Sequence, residues 1–332
     1  MKAGKLQAGM RATARTLPAL GIDLGGTKIE ALLLGAQGQE LWRLRVDTPQ
    51  SSYSGTLQAI AALVVTARQH CQQACLQAPT VGVGTPGSLT ASGVIKNANA
   101  TCLNGRALQE DLQAALGQNI RMANDANCLA LSEATDGAAA GVDVVFAVIL
   151  GTGTGAGIAV QGRVLTGPNR LAGEWGHNPL PWADADRPGP VVAPLCYCGK
   201  RGCIETLCSG PGITREHQRL FGEALTAKEI AQRADAGDAH CAVTLAQHSN
   251  RLARALAMVI NILDPDVIVL GGGLSRMNHL YTDLPKLWGQ WVFSGGASDP
   301  VRTRLVQSLH GDASGVRGAA WLGRDPHDAR LQ

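Results

Sequence analysis

Three cysteines and one histidine near the middle of the chain constrain its fold more than any other feature. Cys196, Cys198 and Cys203 form a C-x-C-x4-C pattern, and His177 lies 19 residues before the first of them. Three thiols and one imidazole at such spacing are typical of a tetrahedral zinc site in which four protein ligands leave no open position. We therefore expect a structural zinc ion rather than a hydrolytic one.

The predicted zinc loop also carries acidic residues, Glu174 on its N-terminal side and Glu205 on its C-terminal side. A loop that a metal ion holds in place keeps such carboxylates fixed, which favours a site for a polyhydroxy compound. The other interpretations are that the carboxylates are solvated and that the four ligands are reduced core residues. Gly199 and Gly202, which lie between the cysteines, favour the metal site.

Composition limits the class of protein. Of the 332 residues, 45% are hydrophobic and 17% charged, which indicates a soluble globular protein with room for two domains. No apolar run approaches the roughly 18 residues that span a bilayer. The net charge of +3 is spread along the chain and does not favour nucleic-acid binding. Nine cysteines without a secretory signal favour reduced thiols in the cytoplasm, and we expect residues 1–17 to form a disordered extension.

The predicted secondary structure contains the same strand–turn–strand pattern twice. An apolar strand at 19–23 meets a glycine turn and returns at 29–34, and a strand at 144–150 meets a second glycine turn and returns at 158–160. This repetition indicates an internal duplication. Further strands are predicted at 41–46, 81–84, 120–123 and 267–270, and helices at 57–74, 106–116, 124 to about 140, 226–234, 240–263 and 315–322.

The first glycine turn has the composition of a phosphate-binding loop. Gly25 and Gly26 allow backbone N–H groups to approach phosphate oxygens, Thr27 adds a hydroxyl and Lys28 a positive charge. Asp23, at the end of the strand, has the chemistry to hold the water shell of Mg²⁺. The alternative interpretation is an ordinary tight hairpin.

Two further glycine segments have the same character. The second turn contains Gly151, Thr152, Gly153 and Gly155, and a strand rather than a helix is predicted after it. This order disfavours a dinucleotide-binding fingerprint and an NAD-linked dehydrogenase, and favours a second phosphate loop, with a plain hairpin as the alternative. A third segment, which includes Gly271 and Gly272, follows an apolar strand and could accommodate a flat adenine against its backbone.

Asn124 and Asp125 lie where a predicted strand meets a predicted helix. An Asx residue at this position needs no explanation beyond capping the helix. Asp125 is also a candidate general base, because phosphoryl transfer to an alcohol needs a carboxylate that orients and accepts the hydroxyl proton. Both interpretations can hold together.

These motifs together resemble the ROK family of sugar kinases and sugar-responsive repressors, over residues 20 to about 323. The shared motifs are D-x-G-G-T-K at 23–28, N-D at 124–125, G-T-G at 151–153, G-E-x-G-H at 173–177 and C-x-C-G-x-x-G-C-x-E at 196–205. The resemblance implies the actin-like (hexokinase/Hsp70) ATPase fold, with two duplicated α/β domains around a cleft. We expect an N-terminal domain at 18–123, completed by a helix at 315–323, and a C-terminal domain at 124–314.

Within the family, segments 96–105, 173–182 and 264–273 are most similar to bacterial fructokinases. The resemblance implies ATP-dependent phosphorylation of a hexose 6-hydroxyl, D-fructose first, with Asp125 as general base and Mg-ATP held by Asp23 and the phosphate loops. It also implies a homodimer and a His177 that serves both zinc and sugar. The residues it implies for sugar contact are Asn99, Asn124, Asp125, Glu174, His177 and Glu205.

Two alternatives stay open. An N-acetylglucosamine or glucose kinase shares most of the same motifs, and a few hydroxyl contacts decide between such substrates. The other alternative is a sugar-sensing regulator that binds its sugar without phosphorylating it. The short extension at 1–17 is too short for a helix-turn-helix, and the intact Asp125 and phosphate loops also disfavour a regulator.

Overall fold

The computed structural model describes residues 17–98, 100–183 and 193–324, which form two compact units. Residues 1–16 of the predicted extension and the predicted sugar contact Asn99 lie outside the described residues. In the described ranges, no helix is both long and apolar enough to cross a membrane. The first unit comprises 17–137, 164–172 and 312–324, and the second comprises 138–163 and 173–311 with their undescribed gap.

The described strands form a five-stranded sheet in each unit and one small hairpin. Those of the first unit are β1 (Ala19–Leu24), β2 (Lys28–Leu34), β3 (Glu40–Asp47), β4 (Thr80–Thr85), the hairpin of β5 (Ser88–Leu89) and β6 (Ile95–Lys96), and β7 (Ile120–Asn124). Those of the second are β8 (Val144–Leu150), β9 (Thr154–Val160), β10 (Arg163–Val164), β11 (Val267–Gly271) and β12 (Arg304–Gln307).

Nine α-helices lie in the described ranges. They are α1 (Tyr53–Gln73), α2 (Leu108–Leu116), α3 (Asp125–Thr135), α4 (Ile204–Cys208), α5 (Gly210–Phe221), α6 (Ala227–Asp235), α7 (Ala239–Leu263), α8 (His279–Leu287) and α9 (Ser314–Arg324).

The two sheets share one topology, which confirms the predicted duplication. The strand order is β3-β2-β1-β4-β7 in the first sheet and β10-β9-β8-β11-β12 in the second. In the first, β1 is antiparallel to β2 and parallel to β4, which is parallel to β7. In the second, β8 is antiparallel to β9 and parallel to β11, which is parallel to β12. Each sheet therefore has an antiparallel hairpin at its start, and the glycine turn lies in that hairpin.

Helix α9 lies directly on the first sheet because glycines remove the side chains between them. A methyl group added at Gly21 in β1 would lie 2.0 Å from the carbonyl oxygen of Val316, and one at Gly82 in β4 would lie 2.0 Å from that of Ala319. At its C-terminal end, the buried Arg324 donates hydrogen bonds to four carbonyl oxygens, those of Leu17, Leu34, Gly35 and Ala36. Helix α9 belongs to the first compact unit, together with the sheet on which it packs.

The core of the second unit forms around α7. Leu252, Leu256, Val259 and Ile260 follow one another at helical spacing, are all buried, and belong to the same cluster as Phe146 in β8. The helix begins with Asp238, whose carboxylate accepts hydrogen bonds from the N–H groups of the first turn.

The compact units divide the chain later than the predicted boundary between 123 and 124. Helix α3 stays with the first unit because it packs on α9, where a methyl group at Gly318 would lie 1.7 Å from the carbonyl oxygen of Cys128. The same helix ends at Thr135 instead of about 140. Asp136 follows it, and its carboxylate accepts hydrogen bonds from Arg317 and from the Trp321 indole at 3.0 Å.

Candidate active site and metal centre

The four predicted zinc ligands meet in the second unit. Their donor atoms all lie within 4.8 Å of one another. The Nδ1 atom of His177 is 3.6 Å from Cys196 Sγ, and Cys198 Sγ is 3.6 Å from Cys203 Sγ. Tetrahedral zinc with Zn–S bonds of about 2.3 Å and Zn–N bonds of about 2.0 Å separates its ligand atoms by roughly 3.5–3.8 Å. The donor set and spacing therefore fit a structural zinc ion, and Nδ1 is the imidazole nitrogen that faces the thiols.

A tight turn presents the three cysteines. The carbonyl oxygen of Cys196 accepts the N–H of Gly199 at 2.9 Å, and the N–H of Cys196 donates to Lys200 at 2.8 Å. Gly199 has a φ of +85°, a left-handed conformation that glycine adopts without strain. A bridge between Pro179 and Cys203 ties this turn to the histidine segment. The backbone bonds of this turn thus place the three cysteines beside the histidine segment.

The G-E-x-G-H segment is fixed against β9 by its glycines. A methyl group at Gly173 would lie 2.2 Å from the carbonyl oxygen of Ala156, and one at Gly176 would lie 1.9 Å from that of Thr154. Trp175 between them is buried and packs edge-to-face on the Phe146 ring, with 5.5 Å between centroids. Glu174 and His177 are thereby carried on a segment that cannot shift away from the strand.

Tyr197 is a site residue that the motif analysis did not single out. Its hydroxyl lies 2.9 Å from Nε2 of His177, and the two rings are nearly perpendicular, at 87° with 5.1 Å between centroids. The side chain is 68% exposed. Partial burial, followed by the charges of Glu205, Cys196 and Glu174, raises the pKa of the Tyr197 phenol to about 12. The phenol therefore lies among the acidic residues that were predicted to contact a sugar.

Glu205 connects the zinc loop with the second glycine turn. One oxygen of its carboxylate accepts the backbone N–H of Thr154 at 3.1 Å, while the other lies 4.0 Å from Cys196 Sγ. A methyl group at Gly153 would lie 2.7 Å from the bonded oxygen, so glycine is required there for the turn to approach the carboxylate. The second turn is thus part of a hairpin, β8–β9, as predicted, and β9 begins four residues before the predicted strand.

The third glycine segment lies against this second turn. Gly272 has a φ of +80°, and a methyl group there would lie 2.4 Å from the carbonyl oxygen of Leu150. Gly151 accepts the N–H of Gly210 at 2.8 Å, so the first turn of α5 also meets the loop. In the second unit the two predicted nucleotide-binding segments are therefore adjacent, with Gly272 and Gly273 exposed.

The first glycine turn joins β1 to β2 and exposes the groups suited to phosphate. The N–H of Gly25 donates to the carbonyl oxygen of Lys28 at 3.0 Å, and a methyl group at Gly25 would lie 2.8 Å from that oxygen. Gly26 and Thr27 are exposed, and nothing lies within 4 Å of a methyl group added at Gly26. Thr48, which the motif analysis missed, fixes the turn by donating to the carbonyl oxygen of Gly25 at 2.8 Å.

Asn124 takes the capping role predicted at this position, and Asp125 opens the helix that follows. Asn124 caps α3, because its side-chain oxygen accepts the N–H of Asn127 at 2.8 Å. Asp125 is exposed at the first helical position, where its carboxylate accepts the N–H of Ala126 at 2.8 Å and benefits from the helix dipole. Asn124 also lines a pocket of about 460 Å³ together with Ser88 and Arg121.

Asp23 is the most perturbed carboxyl group of the first unit. It ends β1 beside α9, where a methyl group at Gly315 would lie 3.4 Å from its Oδ2. Burial, and after it the negative charges of Asp125 and Glu30, raises the pKa of Asp23 to about 7. A cation beside these carboxylates would offset both effects. This donor set fits Mg²⁺, which prefers a small number of carboxylates together with phosphate oxygens.

Comparison with known proteins agrees with this geometry. The ROK family pattern matches residues 19–325. The N-acetyl-D-glucosamine kinase of Yersinia enterocolitica is 37% identical over 304 residues, which are 91% of this chain and 98% of that protein. The structure is similar to the ROK hexokinase of Thermus thermophilus, with a TM-score of 0.79, 29% identity, and coverage of 92% of this chain and 97% of that one.

A second solved structure, a ROK glucokinase from Streptomyces griseus in complex with glucose and AMPPNP, has a TM-score of 0.74 and 26% identity. The match covers 92% of this chain and 99% of the glucokinase chain. The family pattern matches residues 19–325, the two solved structures each cover 92% of this chain, and the fold is the actin-like ATPase fold. The chain belongs to the ROK family of sugar kinases.

Proposed function

We propose that this chain transfers the γ-phosphoryl group of ATP to the 6-hydroxyl of N-acetyl-D-glucosamine. The observation that supports this substrate is the 37% identity to the Yersinia N-acetyl-D-glucosamine kinase over 98% of that protein's length. The match covers 91% of this chain, so it is not confined to one part of the sequence.

Asp125 is the proposed general base. Its carboxylate is exposed and held by the first turn of α3, so it is available to a hydroxyl group without first leaving a buried position. In phosphoryl transfer such a carboxylate orients the alcohol and accepts its proton, while positioning and charge stabilisation supply most of the rate enhancement. Asn124 fixes the backbone of this residue by capping the helix.

Mg-ATP is held in this proposal by the glycine turns. The exposed backbone of Gly26 and Thr27 offers N–H and hydroxyl donors to phosphate oxygens, and Asp23 offers its carboxylate to the Mg²⁺ hydration shell. When bound, the Mg²⁺ ion neutralises charge on the phosphates. The exposed Gly272 and Gly273 give the adenine a flat backbone surface.

The zinc ion, when bound, supplies rigidity rather than reactivity, because four protein ligands close its coordination shell. The segments that contain its four ligands also contain Glu174 and Glu205. This proposal assigns both carboxylates to hydroxyl groups of the sugar. Asn99 is assigned to the sugar as well, from the family resemblance alone.

D-Fructose is the second candidate substrate, and mannose and glucose are weaker ones. Fructose is favoured by the similarity of segments 96–105 and 264–273 to fructokinases. N-acetyl-D-glucosamine carries an acetamide that fructose lacks, and this group needs its own space and hydrogen bonds. A homodimer, a cytoplasmic location and the absence of a nucleic-acid partner remain predictions.

A coupled assay of ADP release with Mg-ATP tests the proposal. N-acetyl-D-glucosamine, fructose, mannose and glucose are compared by kcat/KM with the same zinc-loaded preparation. The highest value for N-acetyl-D-glucosamine is expected, and the highest value for fructose would replace it with the second candidate. If sugars bind in calorimetric titrations but none is turned over, the chain is a sensor and the kinase proposal is wrong.

A further inference from the structure

A cavity of about 460 Å³ lies in the first unit, beside the edge strand β7 of its sheet. The β5–β6 hairpin, α2, β7, the start of α3 and the segment 166–172 contribute residues to its wall. Among the predicted sugar contacts that the structure describes, Asn124 alone belongs to this wall, and Asp125 does not. The volume falls within the range of about 300–1,000 Å³ that is typical of small-molecule sites. The cavity is therefore large enough for a ligand of its own, which would lie near the proposed base without including it.

Two glutamine side chains of α2 bind the outer edge of β7 and form one side of the cavity. Gln109 Nε2 donates to the carbonyl oxygen of Ile120 at 2.8 Å, and Gln113 Oε1 accepts the N–H of Ile120 at 3.2 Å. These bonds satisfy backbone groups that an edge strand otherwise leaves without a neighbouring strand. The cavity is therefore built into the folded edge of the sheet.

Arg121, in β7, brings a guanidinium group with a buried, unpaired nitrogen to this cavity. The side chain lines the cavity and is partly buried, and its Nη1 atom has no hydrogen-bond partner in the described part of the chain. A charged donor that is removed from water without an acceptor costs free energy. An anion in the cavity would remove this cost, because guanidinium binds phosphate and carboxylate oxygens through two parallel N–H bonds.

Arg170 adds a second guanidinium group from a turn with an unfavourable backbone conformation. It lines the same cavity, and its φ of +52° is left-handed, which is uncommon for a long side chain. Its N–H donates to the carbonyl oxygen of Gly167 at 3.2 Å and closes the turn. Glycine would adopt this conformation without strain. Backbone strain of this kind is concentrated at functional sites, which supports a role for the arginine side chain.

The other polar groups of the wall suit the hydroxyl groups of a ligand. Asn127 is only 9% exposed, and its Oδ1 atom has no hydrogen-bond partner among the described residues. Ser92 and Asn119 add exposed polar side chains. With two arginines and one glutamate, the exposed Glu110, the wall carries a net charge of +1. These groups match a ligand that combines one strongly anionic group with several hydroxyl groups.

We propose that this cavity binds a sugar phosphate, with its phosphate group on Arg121 and Arg170 and a hydroxyl group on Asn127. A phosphate monoester has three terminal oxygens and nearly two negative charges, which are enough for both guanidinium groups. The inference goes beyond the proposed function, because neither arginine has a part in phosphoryl transfer. Asn127 also donates its backbone N–H to the Asn124 cap, so the site borders the turn that carries Asp125.

The test is calorimetric titration of the zinc-loaded full chain with glucose 6-phosphate, inorganic phosphate and glucose. Saturating N-acetyl-D-glucosamine and AMPPNP are present, so that the proposed substrate sites are occupied. Arg170→Gly removes the guanidinium group and the backbone strain together. Arg121→Met keeps the apolar part of the side chain and removes the unpaired charge. Arg163→Gln is the matched control, because this arginine is exposed and lies outside the cavity wall.

We expect wild type to bind glucose 6-phosphate more tightly than inorganic phosphate. Each cavity variant should weaken the binding of glucose 6-phosphate about 10–100-fold, because a charge-assisted hydrogen bond is lost. Without ligand, both variants should unfold at the wild-type temperature or above it, since each loses an unfavourable feature. Arg163→Gln should bind like wild type, and no variant should change the response to glucose.

The proposal is overturned if glucose 6-phosphate does not bind, or if it binds equally well to wild type and to both cavity variants. Equal affinity for inorganic phosphate and glucose 6-phosphate would overturn the sugar-phosphate assignment and leave an anion site only. The kinase proposal is judged separately, by turnover of the wild-type protein in the coupled assay. If wild type shows no turnover, the affinity ratio between wild type and the cavity variants still decides the role of the cavity.

Discussion

The carboxylate of Glu205 accepts the backbone N–H of Thr154 at 3.1 Å, so a predicted sugar ligand is bonded to a predicted phosphate loop. The same side chain lies next to the zinc ligand Cys196. One carboxylate of the second unit therefore links the proposed zinc loop, the proposed sugar site and the second glycine turn.

Replacement of Glu205 by alanine is expected to raise the KM for both sugar and ATP, each about tenfold. The sugar loses a charged acceptor, and the second turn loses the group that fixes the Thr154 N–H. Glu205→Gln, which keeps an acceptor oxygen, should raise the KM for sugar more than that for ATP. Steady-state kinetics with each substrate varied in turn measure both values, with Glu40→Ala as an exposed control. A raised KM for sugar with an unchanged KM for ATP would refute this connection.

Asp125→Asn is expected to lower kcat by about 10²–10⁴-fold, because the amide cannot accept the hydroxyl proton. Its oxygen can still accept the Ala126 N–H, so the thermal midpoint and the zinc content should stay at wild-type values. Pre-steady-state and steady-state turnover are compared with those of Asp143→Asn, which replaces an exposed carboxylate elsewhere. Wild-type turnover in Asp125→Asn would falsify the assignment of the base.

The raised pKa of Asp23 predicts a pH-dependent stability. The folded protein holds this proton up to a pH of about 7, whereas the unfolded chain releases it near its ordinary value of 3.8. Between these two pH values the folded state binds more protons, so Asp23 lowers the free energy of unfolding as the pH rises from about 4 to about 7.

Asp23→Asn removes this penalty. Without nucleotide or Mg²⁺, we expect it to stabilise the protein by ~2–4 kcal/mol at pH 8 and by much less at pH 5, while weakening activity. Thermal unfolding of wild type and variant at both pH values measures the difference. If Asp23→Asn stabilised the protein equally at the two pH values, ionisation of Asp23 would not be the cause of the stabilisation.

Removal of zinc is expected to lower thermal stability and sugar affinity together. Without the ion, three thiols and an imidazole no longer hold the segments that carry Glu174 and Glu205. Metal analysis should find one zinc per chain, and Cys198→Ser should lose it, whereas Cys75→Ser, an exposed thiol elsewhere, should keep it. Full sugar affinity after complete removal of the metal would contradict this role.

Gly176→Ala tests the packing of the histidine segment. The added methyl group would lie 1.9 Å from the carbonyl oxygen of Thr154, so the segment must move away from β9. We expect a loss of about 1–3 kcal/mol in the free energy of unfolding and weaker sugar binding. Gly289→Ala is the matched control, because nothing lies within 4 Å of its methyl group. Similar effects of both variants would rule out the close contact as the cause.

The sequence predicted the parts of the fold whose signal is local. Apolar runs such as β8 and the long amphipathic α7 were confirmed nearly to the residue, because each buries a regular pattern of side chains. The four proposed zinc ligands do lie together in the structure, and the three cysteines among them share one tight turn. The shared topology of the sheets followed from two strand–turn–strand segments that look alike in sequence.

Other parts had no such signal. Helix α5 was missed because buried positions in it are occupied by Glu216 and His217, which are balanced by Arg251 and Thr244 from α7. Pairs between two helices cannot be inferred from the sequence until the relative position of the helices is known. Tyr197 was missed because the residue between two ligands is not constrained by their spacing, and its role depends on where the His177 ring points.

The packing of α9 on β1 and β4 has a consequence for the order in which the protein is made. The first sheet cannot bury the face that carries Gly21 and Gly82 until residues 314–324 are present. All residues of the second unit precede these along the chain and emerge from the ribosome before them. The nascent first sheet must therefore wait, uncovered on one side, until the whole second unit has been translated.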